Sequence, residues 1–496
     1  MRQLSGQDAM FLHAESAELP QHIFGLTIYD PSTNPGGSLN FEEIVDHFRN
    51  CVGMVRVFRQ KLVEVPFSLD QPYWLDDADI DVELHVHQIA LPQPGDWRTL
   101  CDMVSRIHAR PLARDAPLWE AYVIDGLNTI EGVPPGCFAL MMKVHHAAMD
   151  GASAVEMYAA LHDFEVQPKS LRSQPVVVAE RMPSQIELIT KAYTNNVRNI
   201  EKIGSLASLA WPTYRRIKES YKTDLLHPSS PVPKTRFNGR PGRARTIGAI
   251  RVDYAVVQAI RSRVVGATSN DVMLTIVAGG LRRYLQQKNE LPKESLSVAC
   301  PINLRSKRSA DDEGNSVGFM TLPIGTAIAD PLLRLSEVRM ESYEAKLYTQ
   351  ALGKRLAVEI PNAIPAVLFS NLLHYGQRLG ILERLGPFLN TVVTNVPGLP
   401  RELYLRGSKV VTGFAGGPLL PGVGLFHTVT STISKRQGES AISFSACPMM
   451  LSDAENYEHC LRESYEELQM RVQKKAKLDQ SRQGRASDPR RKAVAA

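Results

Sequence analysis

Cysteine is scarce in this sequence of 496 residues and follows no metal-binding pattern. The six cysteines are Cys51, Cys101, Cys137, Cys300, Cys447 and Cys460, and no two form a CxxC pair. Structural zinc sites and disulfide frameworks need cysteines at characteristic spacings. The pattern therefore indicates reduced, mostly buried thiols, as in a cytoplasmic protein.

Long hydrophobic runs are also missing. No stretch approaches the roughly 20 apolar residues that a membrane-spanning helix requires. The first residues, Met1 to Asp8, lack the apolar core of a secretory signal peptide. Any contact with a membrane is therefore expected to be peripheral.

Strong charge of one sign is absent too. The chain has 57 Lys+Arg against 52 Asp+Glu, a net charge of +5, and no nucleic-acid-binding motif. A mild positive excess suits an anionic co-substrate or an anionic membrane surface. With 44% hydrophobic and 22% charged residues, the composition is that of a globular protein, and the length favours two or three domains.

Changes in composition divide the chain into four parts. Residues 1–165 and 246–473 alternate short β-type runs with helical patterns, which indicates two α/β domains. Residues 166–245 contain a long helical pattern and then a Pro-rich, basic segment, as expected of a crossover linker. Residues 474–496 are basic and polar without aromatics, so a disordered tail is expected.

Local patterns predict individual elements within these parts. In the first half we expect strands at Ile23–Tyr29, 81–87, Leu118–Ile124 and Phe138–Val144, and helices at Phe41–Phe58 and Trp97–Arg110. In the second half we expect strands at Thr246–Val252, Leu296–Ala299, Thr391–Val396 and 427–433, and a helix at Asp271–Leu285.

The most informative segment is the apolar run from Phe138 that ends in His145, His146, Asp150 and Gly151. From residue frequencies, His-His-x-x-x-Asp-Gly should occur by chance in roughly one chain of this length in a thousand. Histidine titrates near neutrality and can take up and return a proton. A histidine held at the end of a strand near an acid is typical of a general base.

The two histidines are expected to play different parts. Successive strand side chains point to opposite faces, so only one of the pair can easily face a given cleft. His146 is our first choice for the base, and we expect His145 to hydrogen-bond inward. Two structural histidines on a turn are the plain alternative. A metal site is disfavoured because the sequence has no His-Glu-x-x-His or similar ligand set.

The acidic end of the motif also has two interpretations. Asp150 could act as an acid in catalysis or could hold the loop through an arginine, and we favour the structural role. Gly151 is expected to allow a backbone conformation or a close approach that a Cβ would block. Ser153 and Glu156 have the spacing of a capping box, so a helix should begin just after Gly151.

Four short segments are candidates of lower specificity. Asn270-Asp271 reads as a helix N-cap, although an amide at a helix start could also donate to an oxyanion. Pro301 to Arg305 and Asn395-Val-Pro397-Gly398 read as strand-end turns. Pro117-Leu118-Trp119 would ordinarily belong to a core.

The helical pattern from Gln185 to about Lys222 mixes apolar and basic residues and is interrupted at Pro212. Such a basic amphipathic stretch can lie in a membrane interface. It can equally pack against its own protein, and both interpretations remain open.

Taken together, these motifs resemble the bacterial wax ester synthase/acyl-CoA:diacylglycerol acyltransferase family. The resemblance covers nearly all of residues 1–470. Its signatures are Leu4 to His13 (Leu-Ser-Gly-Gln-Asp-Ala-Met-Phe-Leu-His), Pro117-Leu118-Trp119, the histidine motif, Asn270-Asp271 and Asn395 to Gly398.

The resemblance implies the fold class and the chemistry. It implies an α/β fold of α+β sandwich type, with two chloramphenicol-acetyltransferase-like domains and an active-site tunnel between them. His146 would remove the proton from an alcohol that attacks a fatty acyl-CoA thioester, without an acyl-enzyme. Asp150 would fix the loop, paired with Arg305, and Asn270 is a candidate for oxyanion stabilisation.

The same resemblance implies the partners. Fatty acyl-CoA is the co-substrate with no bound cofactor or metal, a long-chain alcohol or diacylglycerol is the acceptor, and no nucleic acid is involved. The expected location is the cytoplasmic face of the membrane or a lipid droplet. Alternatives are a related CoA-dependent acyltransferase with another acceptor, or a non-catalytic lipid-droplet-binding homologue.

The chain departs from the family pattern in two segments. Arg401 to Ser408 differs from the usual Pro-Leu-Tyr followed by Asn-Gly, and Gly416 to Phe426 is unusually apolar and rich in glycine. Both segments are expected to help line the acyl or alcohol pocket, so the choice of acceptor is the property least transferable from the family.

Overall fold

Two six-stranded sheets and the helices packed on them make up most of the structure. A computed structural model describes residues 1–77, 79–149, 151–167, 180–198, 215, 231–303, 317–352, 376, 386–398, 401–432 and 438–486. The mixed α/β architecture with two sheet-rich domains agrees with the expected fold class.

The strands and helices are numbered here in chain order. The strands are β1 (Arg2–Gln3), β2 (His22–Asp30), β3 (Gln60–Val63), β4 (Tyr73–Asp76), β5 (Val86–Ala90), β6 (Trp119–Asp125), β7 (Phe138–His145), β8 (Thr246–Asp253), β9 (Ser297–Asn303), β10 (Val317–Pro323), β11 (Thr391–Val396), β12 (Tyr404–Leu405), β13 (Ser408–Gly416), β14 (Leu425–Thr432) and β15 (Glu439–Ala446). The helices are α1 (Gly6–Ala14), α2 (Phe41–Cys51), α3 (Trp97–His108), α4 (Gly151–Leu161), α5 (185–198), α6 (Tyr254–Arg261), α7 (Ser269–Gln287), α8 (Pro331–Leu352) and α9 (Ala454–Ala486).

The first sheet has the order β12-β13-β2-β7-β6-β5, and the second has the order β10-β9-β11-β14-β15-β8. Only β5 and β6 are parallel in the first sheet, whereas β11 runs parallel to both β9 and β14 in the second. The short strands β1, β4 and β3 form a separate three-stranded sheet.

Strand β7 is buried along its whole length, which explains its almost continuous apolar sequence. Leu140, Met142 and Val144 face a core that is shared with α2 and α4. Ala139 and Met141 face the opposite core, which also contains residues of α3 and of β8. A strand covered on both faces provides a rigid support for the residues that follow it.

The helix predicted over Phe41–Phe58 is shorter than expected. Asn40 and Glu43 form a complete capping box, and α2 then ends at Cys51. A turn containing Gly53 and a 3₁₀ helix at Arg56–Phe58 follow. Similarly, the extended segment predicted at 81–87 is a 3₁₀ helix at Val82–Leu84 followed by β5.

A hairpin from the second half of the chain completes the first sheet. Strand β13 pairs antiparallel with β2, so residues 404–416 of the predicted second domain lie in the sheet of the first. Arg406 and Gly407 have φ values of 50° and 88°, the left-handed pair of a two-residue hairpin. Sequence analysis missed β13 because its neighbours are rich in glycine and proline, which resembles a loop.

The C-terminal segment is not disordered over all of residues 474–496, contrary to expectation. Helix α9 continues to Ala486, because the segment 474–483 consists of residues such as Lys, Gln, Arg and Ala without proline or glycine. Residues 487–496 lie outside the described part of the chain. Within that part, none of the helices has the length and apolar character needed to cross a bilayer.

The expected linker is described only in part. Residues 185–198 form α5, which agrees with the start of the predicted helix, and most of the remaining pattern, including Pro212, lies outside the described residues. Leu188 and Ala192 of α5 are buried against Tyr73 and Leu75 of β4. Part of this segment therefore packs on the small sheet of the first half.

Candidate active site

Three strands of the first sheet meet at one end beside the histidine motif. His145, the last residue of β7, lies opposite His22, the first residue of β2. On the other side the His145 amide donates to the carbonyl of Leu118 at 2.9 Å, just before β6 begins. The sheet thus holds the backbone of His145 from both neighbouring strands.

The predicted strand-to-helix turn is present. The His146 amide donates to the carbonyl of Gln21 at 2.8 Å, and the Ala148 amide donates to the carbonyl of His145 at 2.9 Å. Helix α4 then starts at Gly151 itself, two residues before Ser153. Consequently the second histidine lies just beyond a rigid strand, in a tight turn.

The two imidazoles have different surroundings. His145 is 1% exposed, and its Nδ1 accepts a hydrogen bond from the Ala147 amide at 3.0 Å. His146 is partly exposed, and its ring stacks on Phe11 of α1 with a centroid separation of 3.7 Å and an interplanar angle of 13°. His145 is therefore the inward ring and His146 the more accessible one, and the part that each plays in catalysis stays a prediction.

Glu15, which the sequence analysis did not identify, approaches both buried histidines. Its Oε1 lies 3.3 Å from Nε2 of His22 and 3.4 Å from Nε2 of His145. Its Oε2 accepts from Arg114 at 2.7 Å. The only signal in the sequence was its place two residues after the Leu4–His13 signature.

These neighbours determine the charge states in the cluster. Burial alone would raise the pKa of the Glu15 carboxyl, but contacts with His145, His22 and Arg114 hold it well below its usual range. Burial lowers the pKa of His22 to about 4, against the influence of Glu15. At neutral pH the cluster therefore contains a carboxylate and a neutral His22.

A buried lysine lies on the same strand, two residues before His145. Lys143 is fully buried and donates to Glu120 at 3.0 Å. Burial lowers the pKa of its ammonium group, whereas Glu120 raises it. Glu120 also accepts from the Tyr122 hydroxyl at 2.8 Å, so the carboxylate serves two buried polar groups.

Pro117, Leu118 and Trp119 lie beside the site and form part of two cores. Trp119 is fully buried, stacks with His85 at 4.5 Å and donates from Nε1 to the carbonyl of Phe58 at 3.0 Å. Leu118 packs with Leu4 and neighbouring residues of α1. Their packing agrees with the expectation of a core segment, and Leu118 also supports His145 through its carbonyl.

Asn270 is not the N-cap of α7. Thr268 holds that position: its hydroxyl accepts from the Asp271 amide at 3.2 Å, and the Asp271 carboxylate accepts from the Thr268 amide at 2.7 Å. Asp271 is buried, whereas Asn270 is partly exposed within the first turn. The capping box begins two residues earlier than expected, which leaves the Asn270 amide out of the cap.

The remaining candidates are spread along the second half or lie outside the description. Asn395 is within β11, and its side chain is exposed, as are Pro397 and Gly398. Residues Pro301 to Asn303 belong to β9 rather than to a turn after it, because β10 pairs with β9 as far as Asn303. Asp150 and Arg305, and with them the expected Asp150–Arg305 pair, lie outside the described residues.

The segments expected to line a pocket contribute to packing. Leu403 and Leu405 are buried in the core of the first sheet. Leu419 and Phe426 pack with Leu19, just after Glu15 in the chain. A narrow cleft lined by Glu18, Arg240 and residues 421–422 runs between these parts of the two halves.

Two sequence models of one family match the chain. The model described as the wax ester synthase/diacylglycerol acyltransferase catalytic domain matches residues 4–273, and the model of its C-terminal domain matches residues 313–469. A protein of Mycobacterium tuberculosis strain CDC 1551 that is named for diacylglycerol O-acyltransferase activity is 30% identical over 94% of this chain and 90% of its own length. Another, from strain H37Rv, is 31% identical over 86% of this chain and 92% of its own.

Solved structures share the fold. The wax ester synthase/diacylglycerol acyltransferase from Marinobacter aquaeolei VT8 aligns with 95% of this chain and 100% of its own, with a TM-score of 0.66 at 22% identity. A starter condensation domain of rhizomide synthetase, solved in complex with C8-CoA, covers 95% of this chain and 94% of its own, with a TM-score of 0.53 at 13% identity. With both domains matched in order, this chain belongs to the wax ester synthase/diacylglycerol acyltransferase family.

Proposed function

We propose that this protein transfers a long-chain fatty acyl group from acyl-CoA to a long-chain alcohol or to diacylglycerol, with His146 as the general base. Membership of the family makes the chain an acyltransferase that forms neutral lipids. The observation that carries the assignment to His146 is its place just beyond β7, partly exposed, while His145 is turned inward.

The chemistry follows from a neutral imidazole at that position. His146 takes the proton from the acceptor hydroxyl as its oxygen attacks the thioester carbonyl carbon. The carbon–sulfur bond of the tetrahedral intermediate then breaks, and the imidazolium returns the proton to the CoA thiolate. The products are an ester and free CoA, and no side chain is acylated.

Several groups are proposed to support this step. Asp150 would hold the motif loop, with Arg305 as its partner, and Asn270 would donate to the oxyanion or to the bound substrate. Stabilisation of an oxyanion by a single donor accounts for about 10²–10³-fold in rate in well-studied enzymes. Because Asn270 lies outside the α7 cap, its amide is available for such a bond.

We further propose that the protein works at a membrane or lipid-droplet surface, because both acceptors are apolar. Helix α5 supports this proposal. Ile186 and Tyr193 are 77% and 75% exposed, and Ile189 and Val197 on the same face are also exposed. Cosedimentation with anionic liposomes should weaken in an Ile186→Asp, Tyr193→Asp variant, and unchanged binding would contradict the assignment to α5.

The proposed function is tested by identifying products from a mixed pool of acceptors. Radiolabelled palmitoyl-CoA is offered to hexadecanol, dioleoylglycerol and a long-chain amine together, and products are separated by class. Wax ester or triacylglycerol with matching CoA release is expected. Amide as the main product would favour the related acyltransferase, and intact liposome binding without CoA release would favour a lipid-binding homologue.

A further inference from the structure

The segment Leu4–Glu15 contains a family signature that the chemistry above does not use. Helix α1 is well defined within it, since the Ser5 hydroxyl accepts from the Asp8 amide at 3.0 Å. The helix ends at Ala14, and Glu15 follows as its C-cap in an extended conformation. Two residues of this segment, Phe11 and Glu15, contact the two motif histidines.

We propose that Glu15 is a positioning residue, which fixes the ring of His145 and thereby the turn that carries His146. The inference rests on the proposed role of His146 as the base. Glu15 acts here through His145 and Gln21 and makes no contact with the reacting atoms.

The tautomer of His145 follows from its two contacts. Because the Ala147 amide donates to Nδ1 at 3.0 Å, Nδ1 of the neutral ring has no proton. The proton is therefore on Nε2, which lies 3.4 Å from the Glu15 carboxylate. That contact does not satisfy the geometry of a hydrogen bond, so it is an electrostatic one between the ring N–H and the Glu15 carboxylate. The ring of His145 is thus held at one side by the turn and at the other by Glu15.

Glu15 also contacts the strand on the other side of His145. The Gln21 amide donates to Oε1 of Glu15 at 3.3 Å, and the Gln21 carbonyl accepts from the His146 amide at 2.8 Å. Nε2 of His22, the next residue in the chain, lies 3.3 Å from the same carboxylate oxygen. The Glu15 carboxylate therefore contacts the ends of both β2 and β7. The same two strand ends hold the backbone of His146.

Phe11 completes the arrangement from the same helix. Its ring lies nearly parallel to that of His146 at 3.7 Å. Since Arg114 binds Glu15 and also donates to the carbonyl of Leu12 at 3.3 Å, it ties the end of α1 to the carboxylate. A displacement of Glu15 would consequently disturb both motif histidines.

A metal ion is the competing explanation, because donor atoms of Glu15, His22 and His145 lie within 4.8 Å of one another. A neutral imidazole that binds a metal through Nε2 has its proton on Nδ1. In His145 that position already accepts from the Ala147 amide. In addition, Arg114 occupies the second oxygen of Glu15. The geometry therefore favours a hydrogen-bonded carboxylate.

The test compares Glu15→Gln with the isosteric control Glu466→Gln, an exposed acid on α9. Loss of an orienting partner of this kind typically costs about 10–100-fold in activity. We expect Glu15→Gln to lower kcat by that factor with the KM for palmitoyl-CoA nearly unchanged, and to lower the melting temperature because the ion pair with Arg114 is lost. Glu466→Gln should retain wild-type kcat and melting temperature. Wild-type kcat in Glu15→Gln would overturn the proposal.

A double-mutant cycle with His145→Gln shows whether Glu15 acts through His145. The two losses in kcat should be clearly less than additive on a free-energy scale, and additive losses would overturn the proposal. Glu15→Asp retains the charge and should give an intermediate kcat. If Glu15→Gln does not fold, Glu15→Asp decides instead, with wild-type kcat as the contradicting result.

Two further measurements separate a positioning role of Glu15 from a metal site and from a failure of the proposed function. If a chelator inactivates the wild-type enzyme and added Zn²⁺ restores the activity, the cluster is a metal site and the positioning role of Glu15 is overturned. His146→Ala is measured in parallel. If that variant is inactive while Glu15→Gln has wild-type kcat, only the positioning role fails, whereas an active His146→Ala contradicts the proposed function itself.

Discussion

The two large sheets each contain a buried histidine, and the two have very different partners. His145 in the first sheet is the last residue of its strand and faces the carboxylate of Glu15. His427 in the second sheet is inside β14, where Thr391 Oγ1 lies 3.0 Å from Nδ1 and the Tyr457 hydroxyl lies 2.7 Å from Nε2. His427 therefore has only neutral partners among these contacts.

The difference shows how position and charge separate a structural histidine from a functional one. Burial lowers the pKa of His427 to about 3, so this ring is neutral and hydrogen-bonded at both nitrogens. It connects β14 with β11 and α9, and it is inside its strand rather than at the end. At the end of β7, by contrast, His146 follows in a turn where a substrate could reach its ring.

Substitutions of His146 and of His427 should have large and opposite effects on activity and stability. His146→Ala should lower kcat by about 10²–10⁴-fold, the usual contribution of a general base, with little change in melting temperature. His427→Ala should instead lower the melting temperature with little change in kcat, because it leaves the buried Tyr457 hydroxyl unsatisfied at a cost of about 1–3 kcal/mol.

Both variants are assayed by CoA release and by thermal unfolding. A His427→Ala protein that is fully folded but inactive would contradict the assignment of His427 as a structural histidine. A His146→Ala protein with wild-type turnover would contradict the assignment of His146 as the base.

The pH dependence of stability should come next in size. His22, His162 and His427 have pKa values lowered to about 4, 4 and 3 by burial, below the 6.5 of an unfolded histidine. Between pH 6.5 and 4 the unfolded state binds more protons, so stability should fall as the pH is lowered through this window.

Each such histidine can contribute up to about 1.4 kcal/mol per pH unit. Urea midpoints at pH 7.5, 6.0 and 5.0 should therefore decrease steadily. The urea midpoint should fall less steeply with decreasing pH in His427→Gln, because this variant lacks one of these buried histidines. A midpoint that does not change with pH would contradict the burial of neutral histidines.

The smallest expected effects concern the start of α7. Thr268→Ala removes the N-cap and should cost about 1 kcal/mol of stability, whereas Asn270→Ala should leave the unfolding midpoint unchanged. If Asn270 donates to the oxyanion, Asn270→Ala lowers kcat instead. Urea unfolding and CoA release are measured on both variants, to separate a role of Asn270 in the cap from a role at the oxyanion. A loss of stability in Asn270→Ala equal to that in Thr268→Ala would show that Asn270 belongs to the cap and would contradict the prediction.

Much of the fold was predictable because its strands are continuous apolar runs bounded by turn residues. The predicted strand Thr391–Val396 matches β11. The predicted Ile23–Tyr29 is one residue shorter than β2 at each end, and Phe138–Val144 is one residue shorter than β7 at its C-terminal end. The hairpin that contains β13 was missed, because its pairing with β2 joins residues nearly 400 positions apart. No local pattern reports such a contact.

The candidate site was also predictable only where local sequence patterns define it. The His145–His146 doublet is local, and its strand-to-turn setting could be inferred from neighbouring residues. Glu15 could not be identified, because its importance depends on α1 folding back onto the ends of β2 and β7. Asn270 was read as a cap because Asn and Asp favour that position, but Thr268 and Asp271 form the capping box.

In the proposed mechanism His146 acts as a base and not as a nucleophile. Initial velocities with palmitoyl-CoA and hexadecanol both varied test this directly. Direct attack predicts intersecting double-reciprocal lines, because both substrates must be bound together before CoA leaves. Parallel lines, together with a burst of CoA release in the absence of alcohol, would indicate an acyl-enzyme and would contradict the account.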